Sequence, residues 1–571
     1  MRFTSLFLAL ALACGAARAE QVTVTILSTT DLHGNIFPYD YYTAKPAERG
    51  LAKIATLIRA ERATAPNSLL IDCGDTIQGT PLEGVYQHWV ETGHLPLDLH
   101  FAGEPLPIDP MMMAMNYVGY DAMVVGNHEW NFGEHNLWTA RSQAHFPFLS
   151  SNTKVEPGAD VPAFDAWIVK TVGGVKVAVV GVTTPHIPMW DPPEHWKGYR
   201  FIDGVTAVRE AVDEVRAKEH PDVVIVAAHA GLYSGSGPAV ANAENMVQAI
   251  AEQVPGVDAI VFGHTHSMLP GKRIGDVLVM QPKNWGISLG RMDLLLEHAP
   301  GGSWHIASKE SRLIPVTADV KPDEKIIAMA QPYQDLTERY LNTTIGEAPV
   351  DLDARYARIE DTPLIDAIQQ VQLAATHADV SFASSFIQSV HVAKGPVTVR
   401  EIAALYPYEN ELYVLEGNGK MVREALENAA RYFLSCSGDC TGTQHLINEH
   451  IIGYNFDMAE GVSYQIDLRQ PEGHRIEDLR WQGRPLSDDQ PLRVAVNNHR
   501  AGGSGGYTMF PDAKIVWKSG DEIRALMIHY YEEHRMLPAK AEDNWKVVPA
   551  DALPELEREA DAEAAAPPIN K

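Results

Sequence analysis

The sequence predicts an α/β protein with two domains, and three observations support this prediction. The chain has 571 residues, which is too long for one ordinary hydrophobic core. Its 45% apolar and 21% charged residues are typical of folded globular proteins and argue against a wholly disordered chain. Between residues 20 and 315, apolar runs typical of buried strands alternate with helix-periodic segments. This alternation indicates a mostly internal sheet covered by helices, with a smaller α/β domain after it.

Residues 1–19 are predicted to be a signal peptide outside the fold. Arg2 precedes the short apolar run LFLALALA, and ARA directly before Glu20 has the pattern of a cleavage site. A lipoprotein signal ending at Cys14 is the alternative, but leucine stands where that signal requires a small residue. The run is too short to span a membrane, and no later segment has eighteen uninterrupted apolar residues. We therefore expect a periplasmic or secreted protein with no membrane span.

The charge of the chain limits its partners. The formal net charge is −28 and the pI is near 5.2, whereas binding a nucleic-acid polymer requires a basic stripe. A small anionic substrate would need a local positive centre to overcome the acidic surface, and metal ions are the obvious candidate. We expect a small-molecule substrate, no nucleic-acid polymer and a monomeric protein.

Five apolar runs end in polar side chains of one chemical kind. The residues concerned are Asp31 and His33, Asp72 and Asp75, Asn127 and His128, His229, and His264 and His266. Functional groups gather where the strands of open α/β sheets end. A single strand-end histidine is more often structural, but five such ends in succession are difficult to explain as structural residues. Asp, Asn and His without a thiolate are ligands that suit zinc, manganese, cobalt or iron.

The spacing of these residues supports the same chemistry. In the patterns D-x-H and H-x-H, both side chains leave an extended segment on one face. Seven ligands are too many for one tetrahedral ion, but they fit two ions that share a bridging carboxylate. Two such ions, about 3.5–4 Å apart, clamp a phosphoryl group and activate a water molecule.

The motifs TTDLHGN, GDTIQGTP, GNHEWNFG, AAHAG and VFGHTH resemble, in this order, the metallophosphoesterase domain of the bacterial 5'-nucleotidase family. LYPYENELYVLEGNGKMVREALE, GYNFDMAEGVSYQIDLRQPEG and AVNNHRAGGSGGY resemble the C-terminal domain of that family, especially in periplasmic 2',3'-cyclic-nucleotide 2'-phosphodiesterases that are also 3'-nucleotidases. The resemblance implies a layered sandwich of helices on two β-sheets over 20–315, a linker helix within 316–342 and a nucleotide-binding α/β domain over 343–548. The acidic, Pro- and Ala-rich tail 549–571 is predicted to be disordered.

The resemblance also implies roles for individual residues. One divalent ion would be held by Asp31, His33, Asp75 and His266, and the second by Asn127, His229 and His264, with Asp75 bridging both. His128 would contact the phosphate or the leaving oxygen and stabilise the transition state.

Asn131 stands where many relatives have an aspartate that holds this histidine. Its amide would still accept a hydrogen bond from the His128 ring, so that Asn131→Asp should move the alkaline limb of the pH profile upward. Asp72 is expected to be structural, and Glu129 to be a helix-start acid favoured by the helix dipole.

Aromatic residues of the second domain are the predicted base-binding groups, because base stacking is worth about 1–3 kcal/mol per base. The candidates are Phe456 or Tyr454 in GYNFD, and Tyr507 after a glycine-rich segment; the alternative is that any of them is a core residue. In 5'-nucleotidases, an arginine precedes the GPVTV-like strand, but here the segment SFASSF (381–386) contains none. This departure favours the branch that acts on cyclic nucleotides and 3'-nucleotides.

Three functions therefore stay open. The first is a 2',3'-cyclic-nucleotide phosphodiesterase and 3'-nucleotidase, the second is a 5'-nucleotidase or UDP-sugar hydrolase on the same scaffold, and the third is a catalytically dead nucleotide-binding protein. All seven ligand positions are filled, which argues against the third. Outside this site, CSGDC suggests a disulfide between Cys436 and Cys440, and Cys73 is expected to be a small core residue.

Overall fold

The computed structural model describes residues 20–99, 107–232, 242–298, 302–408, 410–436, 440, 445–536 and 541–565. The predicted signal peptide lies outside these residues. The N-terminal strands are β1 Glu20–Thr29, β2 Tyr39–Asp40, β3 Lys45–Pro46, β4 Ser68–Asp72, β5 Ala122–Val124, β6 Phe148–Leu149, β7 Thr153–Val155, β8 Trp167–Val172, β9 Val175–Thr183, β10 Tyr199–Phe201, β11 Val223–His229, β12 Ala259–Phe262, β13 Leu269–Ile274, β14 Val277–Gln281, β15 Ser288–His298 and β16 Trp304–Pro315. The helices up to residue 341 are α1 Leu51–Thr64, α2 Pro81–Thr92, α3 Pro110–Val118, α4 Gly133–Gln143, α5 Ile187–Trp190, α6 Gly204–Glu219, α7 Val247–Gln253 and α8 Glu324–Leu341.

Two six-stranded sheets form the centre of the N-terminal domain, in the orders β16-β15-β1-β4-β5-β6 and β13-β14-β12-β11-β9-β8. Alternate strand residues face the other sheet, so that Val24 and Ile71 of the first sheet pack in one buried cluster with Val179 and Ile225 of the second. The other face of the second sheet packs against α6 and α7. The predicted sandwich of helices on two sheets is therefore confirmed.

The direction of the strands places the site. Strands β1, β4, β5 and β6 run parallel, and so do β9, β11, β12 and β14. Their carboxyl ends lie at one edge of the sandwich, where the polar strand-end residues emerge together. Helix α8 then leads towards the second domain; it packs on α2 and α3 and also contacts α10, which is Val399–Leu405.

The second domain is also α/β. Its strands are β17 Thr344–Ala348, β18 Leu352–Asp353, β19 Val380–Ser384, β20 His391–Val392, β21 Gly395–Thr398, β22 Glu411–Asn418, β23 Asp457–Glu460, β24 Val462–Asp467, β25 Ile476–Trp481, β26 Arg484–Pro485, β27 Pro491–Asn497, β28 Ile515–Glu522 and β29 Trp545–Val548. Its helices besides α10 are α9 Pro363–Thr376, α11 Gly419–Ala429, α12 Asn498–Ala501, α13 Ile523–His534 and α14 Leu553–Ala565. A five-stranded sheet, β23-β19-β27-β22-β28, and a four-stranded sheet, β26-β25-β24-β29, form its framework.

The prediction of a disordered tail is wrong for most of its length, because Leu553–Ala565 forms α14. Leu556 and Ala560 are buried on one side of this helix. The Glu559 carboxylate accepts hydrogen bonds from the backbone N–H groups of residues 446 and 447, and Glu563 forms an ion pair with the buried Arg358. The prediction relied on composition alone, which does not show that these acidic side chains have partners within the domain.

Three further predictions have an outcome here. Cys436 and Cys440 form a disulfide, and Cys73 is buried, as expected. Among the described residues, we find no helix that combines the length and apolarity needed to cross a bilayer.

Candidate active site

The seven predicted ligand side chains come together at the carboxyl edge of the sandwich. His229 is the last residue of β11, and the other six lie in the loops after β1, β4, β5 and β12. Two groups have ligand atoms that all lie within 4.8 Å of one another: Asp31, His33 and His266 in one, and Asp75, His229 and His264 in the other. Asn127 joins the second group through its side-chain oxygen, which is 3.0 Å from His229 Nε2 and 3.0 Å from His264 Nδ1.

The distances within and between the groups fit two cations with one shared carboxylate. In the first group, His33 Nε2 is 3.1 Å from His266 Nε2, which is 3.4 Å from Asp31 Oδ1. Asp75 Oδ2 is 3.0 Å from His229 Nε2 and 3.9 Å from His33 Nε2, so that it lies between the groups. Nitrogen and oxygen donors that converge at such distances, without a thiolate, suit borderline and hard divalent ions.

The histidines in these groups are oriented through their other ring nitrogens. His33 Nδ1 donates to the backbone oxygen of Gln78 at 3.0 Å, and His229 Nδ1 donates to the backbone oxygen of Cys73 at 2.7 Å. His264 Nε2 donates to Glu244 at 2.9 Å. Such outer partners fix the ring orientation of metal-binding histidines. Glu244 was not predicted from the sequence, since a glutamate in a loop carries no signal of its own.

The backbone at the site is unusual. Asp31, His33, Asp75, His264 and His266 all have positive φ, between 47° and 76°. Such conformations cost roughly 1–3 kcal/mol each for residues other than glycine, and they persist only where the surroundings enforce them. The strands therefore end in sharp turns that aim these five side chains at one place.

Glu129 helps to hold the backbone in this conformation. Its buried carboxylate accepts hydrogen bonds from the backbone N–H groups of Gly126, Asp75 and Thr76 at 2.6, 2.9 and 2.5 Å. It thereby ties the loop of Asp75 to the loop of Asn127, and the expectation of a helix-start acid is replaced by this role. Gly126 permits the close approach, since a Cβ atom there would lie 2.2 Å from Asp75 Oδ1.

The electrostatics keep the two acidic ligands ionised. Burial opposes the charge of Asp31, but its contact with a protonated His266, 3.4 Å away, outweighs burial and lowers its pKa to about 2 in the metal-free site. At Asp75, burial is likewise outweighed by His229 and His128, and the pKa lies well below its usual value. Burial lowers the pKa of His33 to about 4, whereas at His229 burial is outweighed by the charge of Asp75, which raises the pKa to about 10, so that metal binding there would displace a proton.

Asp72 differs from these two acids. Burial raises its pKa to about 7, although the hydroxyl groups of Thr29 and Thr76 and the backbone N–H of Gly74 donate to it. Its contacts are therefore those of a structural residue, as the sequence analysis expected.

His128 and Asn131 lie beside the two groups. The imidazole of His128 is 5.2 Å from that of His33, centroid to centroid, and its Nδ1 donates to Asn131 Oδ1 at 2.6 Å. The backbone N–H of His128 donates to Asp75 Oδ1 at 2.9 Å. This is the geometry that the sequence analysis expected for a histidine oriented by an amide.

Two of the three predicted base-stacking residues are core residues, and the prediction is corrected for them. Phe456 is fully buried among Tyr432, Phe433 and Trp545. Tyr507 is also fully buried: Phe510 stacks parallel to it, and the Arg500 guanidinium lies 4.8 Å from its ring centroid. A base has no free ring face to contact at either residue.

Tyr454 is partly exposed and has a neighbour that the sequence analysis missed. Tyr408, in the quoted motif LYPYEN, is 43% exposed and lies 6.5 Å from Tyr454, centroid to centroid. Phe386 supports Tyr408 from the side at 4.9 Å. The one signal for Tyr408 was its place in a motif that resembles the nucleotide-binding domain.

The second domain reaches the site at two points. The Tyr42 hydroxyl lies 3.2 Å from the backbone oxygen of Pro407, next to Tyr408, and 3.5 Å from that of Gly79, in the loop after Asp75. At the other point, the Trp190 ring lies between His264 and His499, with ring centroids 5.7 and 6.3 Å away. Both contacts bring the second domain, which carries the exposed aromatic surface of Tyr408 and Tyr454, beside the metal-binding loops.

Comparisons with known proteins match both halves of the chain. Residues 24–268 match the family described as calcineurin-like phosphoesterase, and residues 344–512 match the family described as 5'-nucleotidase, C-terminal domain. The chain is 31% identical to the 2',3'-cyclic-nucleotide 2'-phosphodiesterase/3'-nucleotidase of Salmonella typhimurium, over 96% of this chain and 92% of that protein.

Two more relatives extend the comparison. The chain is 30% identical to the trifunctional nucleotide phosphoesterase protein YfkN of Bacillus subtilis; 93% of this chain is covered, but only 39% of that longer protein. A Staphylococcus aureus protein assigned as a 5'-nucleotidase superimposes with a TM-score of 0.77 at 26% identity, covering 92% of this chain and 99% of that one.

Proposed function

The chain belongs to the bacterial 5'-nucleotidase family and is a metal-dependent phosphoesterase, and we propose that it uses two divalent ions to hydrolyse 2',3'-cyclic nucleotides and 3'-nucleotides to nucleoside and phosphate. One observation carries the proposal: two groups of converging ligand atoms, most of them buried, share Asp75 between them. We assign Asp31, His33 and His266 to one ion, Asn127, His229 and His264 to the other, and Asp75 to both. When bound, the ions supply Lewis-acid polarisation of the phosphate.

The protein's own groups then have separate tasks. With a proton on each ring nitrogen, His128 donates from Nε2 to the phosphate or to the leaving oxygen, while its Nδ1 donates to Asn131, which keeps the ring oriented. Glu129 and the outer partners of the histidines hold the ligands in place, so that little reorganisation is needed when substrate arrives.

Base recognition falls to the second domain. We assign the exposed face of Tyr408 and the partly exposed Tyr454 to contact with the base, because both rings are accessible and Tyr408 follows the residue that contacts Tyr42 beside the metal-binding loops. Phe456 and Tyr507 shape the domain underneath and do not contact the substrate.

The choice of phosphate ester rests on the segment 381–386 and on the relatives. That segment contains no arginine, and the nearby Arg358 is occupied: its guanidinium donates to the backbone oxygens of Ser385 and Phe386 and pairs with Glu563. Relatives named 2',3'-cyclic-nucleotide 2'-phosphodiesterase/3'-nucleotidase match at 30–31% identity, whereas the one named 5'-nucleotidase from Vibrio cholerae matches at 24%. Both observations favour cyclic nucleotides and 3'-nucleotides. We also infer export from the cytoplasm, on the basis of residues 1–19.

One experiment tests the proposal. The protein is treated with a chelator, reconstituted separately with zinc, manganese, cobalt or iron, and assayed side by side on 2',3'-cAMP, 3'-AMP and 5'-AMP. We expect no turnover after chelation, and after reconstitution a higher kcat/KM on 2',3'-cAMP and 3'-AMP than on 5'-AMP. A preference for 5'-AMP would assign the chain to the 5'-nucleotidases instead, and an absence of turnover with every metal would support a nucleotide-binding protein.

A further inference from the structure

We propose that Asp191 is a positioning residue for His128, acting through the side-chain amide of Asn131. This inference rests on the proposed role of His128 in phosphate-ester hydrolysis. Asp191 lies directly after α5, far from the strand-end motifs in sequence, and it is only 4% exposed. The sequence analysis did not single it out.

The two ends of the Asn131 amide have different partners. Its Oδ1 accepts from His128 Nδ1 at 2.6 Å, and its Nδ2 donates to Asp191 Oδ1 at 2.8 Å. An ionised carboxylate is only an acceptor, so that the NH2 end of the amide must face Asp191. The carbonyl end must then face His128, whose ring donates from Nδ1 and presents Nε2 on its other side. Without Asp191, nothing in these contacts distinguishes the two amide orientations.

Asp191 is itself held firmly. Its backbone N–H donates to the backbone oxygen of Ile187 at 2.9 Å, and its backbone oxygen accepts from Trp196 Nε1 at 3.2 Å. Its Oδ1 lies 3.6 Å from His195 Nδ1. Burial opposes the charge of His195, but its interactions with Asp191 and the charge of Glu411 outweigh burial and raise its pKa. These contacts hold the backbone of Asp191 and place its carboxylate between His195 and the amide of Asn131.

The second domain also contacts the segment that contains Asp191. The preceding residue, Trp190, accepts a hydrogen bond on its backbone oxygen from Asn498 Nδ2 at 3.0 Å, and the hydroxyl of Tyr413 lies 3.4 Å from that oxygen. Both donors belong to the second domain. The orientation of His128 therefore depends on a segment that contacts both domains.

Asp191 changes what a substitution at Asn131 should do. In Asn131→Asp, the new carboxylate would face Asp191 at the distance now spanned by a hydrogen bond, and two carboxylates sharing one site repel each other. If Asn131→Asp is combined with Asp191→Asn, the amide and the carboxylate exchange places. The amide introduced at position 191 would then donate to the carboxylate introduced at position 131. That carboxylate would accept from His128, which restores both hydrogen bonds.

The test compares Asn131→Asp, Asp191→Asn, the double variant and Asp191→Ala, with Asp213→Asn on the exposed face of α6 as the matched control. We expect Asn131→Asp and Asp191→Ala to lower kcat by about 10–100-fold with little change in KM, as for other lost outer partners. The double variant, which has the same composition as the wild type, should recover most of the loss seen in Asn131→Asp. Asp213→Asn should match the wild type. Losses in the double variant equal to the product of the single losses would overturn the proposal.

A second measurement does not depend on turnover. In metal-free protein with 15N-labelled histidine, the His128 ring should show its proton on Nδ1 in the wild type and the double variant, and a changed distribution in Asp191→Ala. Unchanged spectra in Asp191→Ala would overturn the proposal even if the variant is unstable or inactive. A wild type that hydrolyses no phosphate ester refutes the proposed function, whereas an active wild type with strictly additive variants refutes only the role of Asp191.

Discussion

The metal-binding groups and the aromatic surface of the second domain are built in opposite ways. Asp31, Asp75 and His229 are at most 1% exposed, and each has its atoms fixed by neighbours. Tyr408, by contrast, is 43% exposed and follows β21 and α10 in a connecting segment of the second domain. This difference indicates that folding positions the metal-binding groups before substrate arrives, whereas the aromatic surface stays open to the base.

The two regions also differ in the loss of activity that a substitution would cause. In the metal-binding groups, each side chain shares a neighbour with another ligand, so that one change disturbs several atoms. On the aromatic surface, a ring contributes mainly its own contact area. We therefore expect large, non-additive losses of activity from substitutions in the metal-binding groups. Substitutions on the aromatic surface should give modest losses that depend on the substrate.

The largest effect is expected for Asp75→Asn. This change removes the charge of the one carboxylate that lies between both groups, and it should lower kcat by roughly a thousandfold or more, because Lewis-acid catalysis contributes several kcal/mol. Steady-state hydrolysis of 3'-AMP at saturating metal measures the loss. A decrease of less than tenfold would show that Asp75 does not serve both ions.

Glu129→Gln should have the next largest effect, although Glu129 contacts neither proposed ion. The amide retains one acceptor oxygen but turns an NH2 group towards backbone donors, which loosens the loops of Asp75 and Asn127. We expect metal affinity to fall by about 10–100-fold, as for other lost outer partners. Competition with a metal-binding dye measures it, and Glu210→Gln on the exposed face of α6 is the control. Equal affinities for these two variants would mean that the loops hold their conformation without Glu129.

Tyr408→Ala and Tyr507→Phe test which of the two tyrosines contacts the base. Tyr408→Ala removes the proposed stacking face, which should cost about 1–3 kcal/mol in kcat/KM for 3'-AMP and almost nothing for an aryl phosphate that lacks a base. Tyr507→Phe removes a hydroxyl that donates to the backbone oxygen of Asn455, so it should lower stability by about 1 kcal/mol without changing the ratio between the two substrates. If Tyr507→Phe shifts that ratio and Tyr408→Ala does not, the assignment of the two tyrosines must be exchanged.

The smallest effect concerns a buried acid away from both regions. Burial, followed by the charge of Asp361, raises the pKa of Asp366 to about 8, whereas an unfolded aspartate titrates near 3.9. Between these values the unfolded chain releases a proton that the folded chain keeps, so that the contribution of Asp366 to stability falls as pH rises from about 4 to 8.

Asp366→Asn keeps an acceptor for the backbone N–H of Glu542, which now donates to Asp366 at 2.9 Å, and it removes this dependence. We expect the variant to gain on the order of 1 kcal/mol relative to the wild type when pH changes from 5 to 8. Urea unfolding of metal-free protein at both pH values measures the gain, with Asp213→Asn as the control. Parallel pH profiles for wild type and Asp366→Asn would show that Asp366 is ionised in the folded protein.

Sequence and structure agree best where residue chemistry leaves few alternatives. A buried aspartate or histidine at a strand end needs a partner, and five such strand ends, which the structure places at one edge of the two-sheet sandwich, indicated where the side chains converge. The aromatic predictions failed at Phe456 and Tyr507 because a large ring is equally suited to a core, and nothing local separates the two uses.

Other features depend on contacts that are distant in sequence. Glu244, Asp191 and Tyr408 meet the site only through folding, and no spacing connects them to the strand-end motifs. The helix α14 was missed for a similar reason, since its acidic residues gain partners such as Arg358 from elsewhere in the chain. The positive φ values at five ligand positions likewise follow from tertiary contacts and not from residue type.

The number of metal ions per chain tests the central claim most directly. Metal-free protein is titrated with manganese or zinc, freed of excess ion by gel filtration, and analysed by mass spectrometry for metal content per protein chain. Two ions per chain, with activity appearing only as the second ion binds, is the result that the shared Asp75 predicts. One ion per chain in the fully active protein would contradict the account.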